Sequence, residues 1–179
     1  NSVSRDLAYV EGDNMKDYLY DLSIAQKYAA FNRKTMVDVI CRGMNWSVQS
    51  EFDTIHNYID LDNMILRKGA ISAQADEIVI IPMNMRDGSL ICRGKGNPEW
   101  NYSGPHGAGR LMSRSQARKQ VALEDFQASM EGIWSTSVVS ATVDESPFAY
   151  KAMEDILAHI HDTVDVLEVI KPIYNYKAH

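Results

Sequence analysis

The sequence has little cysteine and no long apolar run. Cys41 and Cys92 are the only cysteines among 179 residues, and two thiols so far apart make no disulfide framework. This pattern favours a reducing compartment, so we expect a cytoplasmic protein. No segment has the pattern of a signal peptide, and none is apolar over the length that a bilayer requires. The sequence therefore predicts no membrane association.

Positive charge is also scarce. The net charge is −6, from 18 Lys and Arg against 24 Asp and Glu. This argues against a protein that coats nucleic acid non-specifically, although it leaves room for a local basic site. Hydrophobic residues make up 45% of the chain, which indicates a folded domain. The first residue is Asn1 instead of Met, so we expect a fragment or a trimmed product.

A helical period dominates the first quarter of the chain. Apolar residues recur at three- and four-residue steps from Met15 to about Cys41, which predicts one long amphipathic helix whose Met and aromatic positions are core. Asp13 and Asn14 are candidate caps, and Gly43 would end the helix.

The rest of the chain alternates strands, loops and shorter helices. Strands are predicted over 52–59, 63–67, 77–82, 89–93 and 164–174. Helices are predicted from about 113 to beyond 120 and over about 148–161. The β-branched segment Glu77–Pro82 is typical of a buried strand. Residues 94–107 are rich in Gly, Pro and Asn, which predicts a long loop of the kind that often carries function. The fold class is therefore α+β, with a mixed or antiparallel sheet and flanking helices.

The run Pro105-His106-Gly107-Ala108-Gly109-Arg110 carries the clearest chemical signal. Two glycines beside a histidine permit unusual backbone angles, and successive amides in such a turn can form an anion-binding nest. Arg110, Arg114 and Arg118 are spaced four apart and would share one helix face, where guanidinium groups suit phosphate oxygens. The alternative is a glycine turn before a helix with a solvated basic face. From spacing alone both interpretations stay open.

The other histidines carry weaker signals. His56 lies near the end of a predicted strand and could bind a metal, although a lone histidine is more often structural. His159 and His161 are two apart on a predicted helix and point in different directions, so they are interpreted as surface or core residues.

Several motifs taken together resemble the RtcB family of RNA-splicing ligases over essentially the whole chain. The glycine-bracketed histidine with its Met-Ser-Arg sequel is the most specific of them. In chain order, the segments that carry the resemblance are 4–9, 30–33, 56–58, 67–70, 103–110, 112–114, 147–151 and Lys177.

This resemblance implies a reaction and its cofactors. RtcB ligases join RNA 2′,3′-cyclic phosphate or 3′-phosphate ends to 5′-hydroxyl ends, in tRNA splicing or RNA repair, and use GTP and two manganese ions. A histidine attacks the GTP α-phosphate, the GMP passes to the RNA 3′-phosphate, and the 5′-hydroxyl displaces it. A neutral imidazole is a competent phosphoryl acceptor for such a step.

The resemblance also assigns roles by position. His106 matches the nucleophile that accepts GMP, and His56 matches one manganese ligand. Arg110 and Arg114 would hold phosphate or an RNA end. The residues expected at the guanine nucleotide are Asn57, Asn84, Ser89, Gly107, Ala108, Gly109, Arg110, Tyr150 and Lys177.

The chain departs from the family in two respects. The family's remaining manganese ligands (an Asp, a bridging Cys and two His) and the acidic residue that orients its nucleophile lie in an N-terminal half that this chain lacks. We therefore expect residues 1–179 to be the C-terminal portion of a ligase domain, inactive alone. The family's phosphate loop is replaced by Pro82-Met83-Asn84-Met85-Arg86, which suggests a divergent subfamily.

Two alternatives to an RNA ligase are kept. One is a nucleotide- or phosphate-binding module that has lost catalysis. The other is a structural or interaction domain that retains only the fold.

Overall fold

The structure, a computed structural model, describes residues 8–177 and contains two compact units. The first comprises the described residues up to Glu51 and Tyr58–Leu66. The second comprises Phe52–Asn57 and the described residues from Arg67 onward. Helices and antiparallel strands are mixed along the chain, which confirms the α+β prediction.

Some parts of the sequence prediction fall outside the described residues. Ser4–Leu7, which open the first motif, and the terminal Ala178 and His179 are among them. That residues 1–179 form one portion of a ligase domain stays a prediction. Within the described part of the chain, no helix is both long and apolar enough to span a membrane.

The long helix of the first unit is confirmed, but its predicted core is not. α1 spans Gly12–Gly43 and ends at the predicted glycine. Its N-cap is Glu11, which makes no side-chain capping bond, so the prediction that Asp13 and Asn14 cap the helix is wrong. Asp13 lies in the first turn, where a carboxylate suits the helix dipole. No residue of α1 is buried, and Tyr28 is 72% exposed, so the apolar stripe is not core within this chain.

Two short strands form a small sheet of their own. β1 (Asn57–Asp60) pairs with β2 (Ile65–Lys68), and a turn joins them. The first strand was predicted from Phe52, but extended pairing begins only at Asn57. His56 therefore lies just before a strand.

The second unit is built on two antiparallel sheets. β3 (Ala70–Ser72) pairs with β6 (Ser103–Pro105), so the predicted loop 94–107 ends in a strand. β4 (Ile78–Asn84), β5 (Gly88–Gly94) and β7 (Val164–Ile170) form a three-stranded sheet with β5 in the centre. β7 ends before Pro172, which has no N–H for a ladder, and so is shorter than the predicted 164–174.

The main core lies on one face of the three-stranded sheet. β4 alternates between buried and partly buried or exposed residues, so the predicted buried strand is fully buried on one face only. Its buried side chains pack with those of β5, β7 and the loop that carries Ala108. The buried members of this cluster are Ile71, Ala73, Val79, Ile81, Met83, Leu90, Cys92, Ala108, Ile160 and Val164.

The helices of the second unit are short. α2 spans Arg114–Gln120, and its N-cap Ser113 forms a capping box with Gln116. α3 (Leu123–Ser129) was not predicted; it buries Phe126 against a second small cluster with Met85, Met130 and Val143.

The helix predicted over 148–161 is much shorter. Only α4 (Met153–Leu157) is α-helical, because Pro147–Ala149 forms a 3-10 turn and Tyr150 is extended. Tyr150 pairs with Arg110 through an isolated antiparallel bridge. This tertiary pairing overrides the helical period and holds the tyrosine beside the glycine-bracketed histidine run.

Leu90→Ala tests the position of the main core. Leu90 is fully buried, so the substitution should lower the free energy of unfolding of the full chain by about 2–5 kcal/mol. Leu111, 64% exposed, is the matched control, and its change to Ala should cost at most about 0.5 kcal/mol. Urea unfolding measures both. Equal effects of the two variants would contradict this account of the core.

Candidate functional site

A cavity of about 660 Å³ lies within the second unit. It is bordered by the end of β4, the start of β5, the glycine loop Gly107–Gly109 and the C-terminal segment. All the predicted site residues line it except His56 and Asn57. Those that do are Asn84, Ser89, His106, Gly107, Ala108, Gly109, Arg110, Arg114, Tyr150 and Lys177.

The glycine loop is fastened to the end of β4. The Ala108 N–H donates to the Pro82 carbonyl at 3.1 Å, and Ala108 itself is buried. A Cβ on Gly107 would lie 2.9 Å from the same carbonyl oxygen, so a side chain there would displace backbone. Gly109 has a φ of +71°, which favours glycine. The amide of Ala108 is thus already bonded, and the predicted open nest of amides is not present at that position.

His106 is held by a backbone carbonyl. Its Nδ1 lies 2.6 Å from the Gly69 oxygen. Because a carbonyl can only accept, Nδ1 must carry the proton, and in the neutral ring the Nε2 lone pair is available. The ring stacks on that of His56, with centroids 5.3 Å apart and planes 13° from parallel. The structure therefore brings together the two histidines that the sequence singled out.

The predicted row of arginines has a different arrangement. Arg110 precedes α2, so it does not share a helix face with Arg114 and Arg118. It donates to the Tyr150 hydroxyl at 3.0 Å and to the Asp144 carbonyl, and its guanidinium lies over the Tyr150 ring at 4.8 Å. The prediction of one basic helix face is wrong for this residue.

Two carboxylates that the sequence analysis missed form ion pairs with basic residues at the cavity. Asp144 and Glu145 end a 3-10 helix, Ser140–Glu145, and Asp144 is 2% exposed. Arg114 bonds both carboxylates. Arg118 reaches Asp144 at 3.1 Å, and Lys177 lies 3.3 Å from Glu145. The sequence held one sign of these two residues: they form an acidic pair directly after the uncharged segment 133–143.

Asn84 makes side-chain hydrogen bonds within the turn between β4 and β5. Its Oδ1 accepts from the backbone amides of Arg86 and Asp87, and its Nδ2 donates to the Asp87 carboxylate at 2.8 Å. Arg86 pairs with Asp87 at 2.8 Å. Where the sequence departs from the family's phosphate loop, the replacements thus bond to one another. The nucleotide contact expected of Asn84 stays a prediction.

Comparison with known proteins identifies the family of this chain. The family model described as tRNA-splicing ligase RtcB matches residues 1–178. This chain belongs to the RtcB family. The RNA-splicing ligase RtcB of Escherichia coli K12 is 34% identical over 95% of the chain, and the match covers 46% of that protein. The tRNA-splicing ligase RtcB of Aeropyrum pernix is 40% identical over 46% of the chain and 18% of its own length.

A more distant relative gives the same family and the same partial coverage. The RNA-splicing ligase RtcB of Mycobacterium tuberculosis is 26% identical over 82% of the chain and 41% of its own length. The chain thus spans less than half the length of the curated RtcB proteins that it matches. The activity of a whole RtcB enzyme therefore enters below as a proposal.

The described residues of this RtcB chain do not make a complete metal site. Among residues 8–177, no three His, Cys, Asp or Glu side chains are grouped so that they could hold an ion. His56 would supply one imidazole ligand to such a site. Cys92 fits no such role: burial raises the pKa of its thiol to about 11, so it stays protonated at neutral pH.

The acidic pair is held in its charged form. Burial raises the pKa of Asp144, but hydrogen bonds from Arg114 and Arg118 outweigh it, and the net pKa is below the ordinary value. Burial also raises the pKa of Glu145, and the Tyr150 hydroxyl with the charge of Lys177 lowers it further than burial raises it. Both groups are therefore carboxylates at neutral pH.

Asp144→Asn tests the arginine cluster. The variant keeps the shape but loses charge-assisted hydrogen bonds, so at pH 7 the free energy of unfolding should fall by about 1.5–3 kcal/mol. Because the folded pKa of Asp144 is lowered, its stabilisation is complete above the ordinary pKa of about 3.9 and is lost as the pH falls below it. The variant should therefore lose less stability than the wild type on acidification through this range.

The matched control for this substitution is Asp165→Asn. Asp165 pairs with Lys95 at 3.0 Å, but its side chain is 62% exposed, so the loss should be at most about 1 kcal/mol. Chemical unfolding at a series of pH values measures both variants. An Asp144→Asn protein with wild-type acid sensitivity would show that this carboxylate does not hold the cluster.

Proposed function

We propose that the full-length protein containing this chain is a GTP- and manganese-dependent RNA ligase. It would join RNA 2′,3′-cyclic phosphate or 3′-phosphate ends to 5′-hydroxyl ends, in tRNA splicing or RNA repair. The observation that carries the proposal is the setting of His106. Its ring borders a nucleotide-sized cavity while its Nδ1 is tied to a backbone carbonyl, which leaves Nε2 as the nucleophilic nitrogen.

The first chemical step follows from that nitrogen. The Nε2 lone pair of His106 forms a bond to the α-phosphorus of GTP, the bond from that phosphorus to the bridging oxygen breaks, and pyrophosphate leaves with the electron pair. Manganese would supply charge withdrawal from the triphosphate. His56 would contribute one of its ligands, and the others would come from the rest of the full-length protein.

Two further transfers complete the ligation. An oxygen of the RNA 3′-phosphate attacks the phosphorus of the histidine–GMP adduct and releases His106. The 5′-hydroxyl oxygen then attacks the activated 3′-phosphorus, its proton passes to solvent, and the bond from that phosphorus to GMP breaks. A 2′,3′-cyclic end would first be hydrolysed: water attacks the phosphorus and the bond to the 2′-oxygen breaks, which leaves a 3′-phosphate.

The cavity lining supports a guanine nucleotide in this reaction. Ser89, Tyr150 and Lys177 line the cavity from separate strands and loops. The Tyr150 hydroxyl and the Lys177 ammonium also contact Glu145, so a bound nucleotide would share them with this carboxylate. Arg110 and Arg114 lie at the same cavity and would hold phosphate or the RNA end. They do so from fixed positions, because their hydrogen bonds to the Asp144–Glu145 segment limit side-chain freedom.

A second candidate is a nucleotide- or phosphate-binding module without catalysis. The observation that favours it is the incomplete metal site of the described residues. The two candidates differ in one measurable property, because only the ligase forms a covalent nucleotide adduct.

His106→Ala should abolish the covalent GMP adduct of the full-length protein. The test is incubation with radiolabelled GTP and manganese, followed by a denaturing gel. A phosphoramidate adduct should be labile in acid and stable in alkali, unlike a serine ester. Arg110→Ala should slow labelling but leave some adduct, since this residue stabilises charge and does not form the bond.

His159→Ala is the matched control for the labelling experiment. This histidine also has its Nδ1 beside a backbone carbonyl, at 2.7 Å from the Asp155 oxygen, but it does not line the cavity. Its loss should leave labelling unchanged. If the wild type labels and His106→Ala labels equally, the nucleophile is another residue. If the wild type does not label, the binding module is the better description.

The isolated chain of 179 residues should not ligate RNA. One imidazole ligand cannot hold two manganese ions, because affinity rises with the number of fixed ligands. GTP binding should survive weakly, since the base contacts remain while the metal anchor of the triphosphate is lost. Calorimetry with GTP and ATP measures this, and equal affinities would argue against a guanine-selective pocket. Manganese-dependent ligation by the isolated chain would overturn the prediction.

A further inference from the structure

A second, smaller cavity adjoins the one that His106 borders. Its volume is about 450 Å³, and it lies entirely within the second unit. The two cavities meet at three side chains that line both of them, which are Arg114, Glu145 and Lys177. The smaller cavity is completed by Arg118, Ala141, Thr142 and Asp144. The roles assigned so far leave this cavity without a ligand.

Each arginine of the smaller cavity is held by only one of its nitrogen atoms. The Arg118 Nε donates to the Asp144 carboxylate at 3.1 Å, and the Arg114 Nη1 donates to Asp144 and Glu145. The remaining N–H groups of both guanidiniums make no hydrogen bond to any of the described residues. Both side chains are about 60% exposed. Each arginine therefore presents a planar pair of N–H donors to solvent from a fixed position.

The two carboxylates in this cavity are already covered by cations and donors. Asp144 is 2% exposed, and each of its oxygens accepts from one of the two arginines. The Glu145 Oε1 pairs with Arg114. Its Oε2 accepts from the Tyr150 hydroxyl at 2.9 Å and lies 3.3 Å from the Lys177 ammonium. Three cations against two carboxylates leave the cavity positive, and paired guanidinium donors suit phosphate oxygens best.

We propose that the smaller cavity binds a backbone phosphate of the RNA strand whose end reacts in the larger cavity. Arg118 is the residue that would hold this phosphate. The proposal rests on the ligase function proposed above, which requires an RNA end beside His106. Arg114 and Arg118 are four residues apart on α2, which is about 6 Å along the helix axis. This step suits neighbouring phosphates of one strand, so the RNA would leave the larger cavity past Arg114 and continue along α2.

The test is the binding of a single-stranded RNA with a 3′-hydroxyl end to the full-length protein, without GTP or manganese. This RNA has no terminal 3′-phosphate, so its phosphates are those of the backbone. Fluorescence anisotropy at several salt concentrations gives the dissociation constant and its salt dependence. Arg118→Ala should raise the dissociation constant about 10-fold. It should also reduce the slope of log affinity against log salt by about 0.7, the value for one phosphate of a single strand. An unchanged affinity and slope would overturn the proposal.

Lys119→Ala is the matched control for this substitution. It removes the same charge from the next residue of α2, but Lys119 lines neither cavity. Its dissociation constant for RNA should stay within about threefold of the wild type, because salt screens a charge that makes no contact. Equal losses in the two variants would show a general effect of charge and would contradict a site at Arg118.

Ala141→Glu tests the cavity without removing a partner of Asp144. Ala141 is exposed and lines the smaller cavity, so a carboxylate there should repel a phosphate and raise the dissociation constant for RNA about 10-fold. The control is Ser140→Glu, which adds the same charge one residue earlier and outside the cavity. If both variants bind RNA with the same affinity, the cavity is not the phosphate site.

The outcomes separate from those of the proposed function, because this binding needs neither nucleotide nor metal. A protein that binds RNA through Arg118 but forms no GMP adduct refutes the ligase and leaves the phosphate site standing. A protein that forms the adduct while its Arg118→Ala variant binds RNA like the wild type keeps the ligase and refutes the phosphate site. Competition by inorganic phosphate identifies a site for free anions. If Arg118→Ala weakens the binding of inorganic phosphate but not of RNA, the proposal is wrong.

Discussion

The carboxylate of Asp144 sets a constraint on much of the second unit. A charge that is 2% exposed is costly unless it is paired and hydrogen-bonded. Arg114 and Arg118 meet this requirement from α2, and Arg110 bonds the Asp144 backbone. These ion pairs connect α2 to the Ser140–Glu145 segment, which precedes Tyr150 in the chain. Because Tyr150 pairs in turn with Arg110, the cavity has a fixed wall on this side.

The same cluster accounts for a basic site on an acidic chain. The chain carries a net charge of −6, yet Arg110, Arg114, Arg118 and Lys177 all lie within 4 Å of Asp144 or Glu145. Four cations against two carboxylates leave the cluster positive, while the carboxylates hold the cations in defined positions. Pre-arranged guanidinium groups lose less freedom on meeting a phosphate than mobile ones. A local site of this kind agrees with the scarcity of positive charge elsewhere.

The sequence predicted those features that depend on local pattern. The long helix, the paired strands β4 and β5 and the start of α2 all follow from periodicity and capping. The glycine-bracketed His106 was singled out, and the residues assigned with it line one cavity, except His56 and Asn57. What failed depends on distant partners. The extended Tyr150 and the shortened α4 arise from pairing with Arg110, and no local signal marks it. Asp144 and Glu145 were missed because a carboxylate gains its role only from the arginines that fold against it.

The two stacked histidines are both in contact with one residue, Gly69. His56 belongs to the segment just before β1, whereas His106 follows β6, and the segments are about fifty residues apart in sequence. Gly69 touches both, because its N–H is bonded by the His56–Asn57 segment and its carbonyl by the His106 ring. The His56 backbone and the His106 ring are therefore both hydrogen-bonded to one residue that directly follows β2. The arrangement of the two histidines thus depends on a residue that belongs to neither of their motifs, which explains why the sequence singled out both histidines but did not predict that their rings stack.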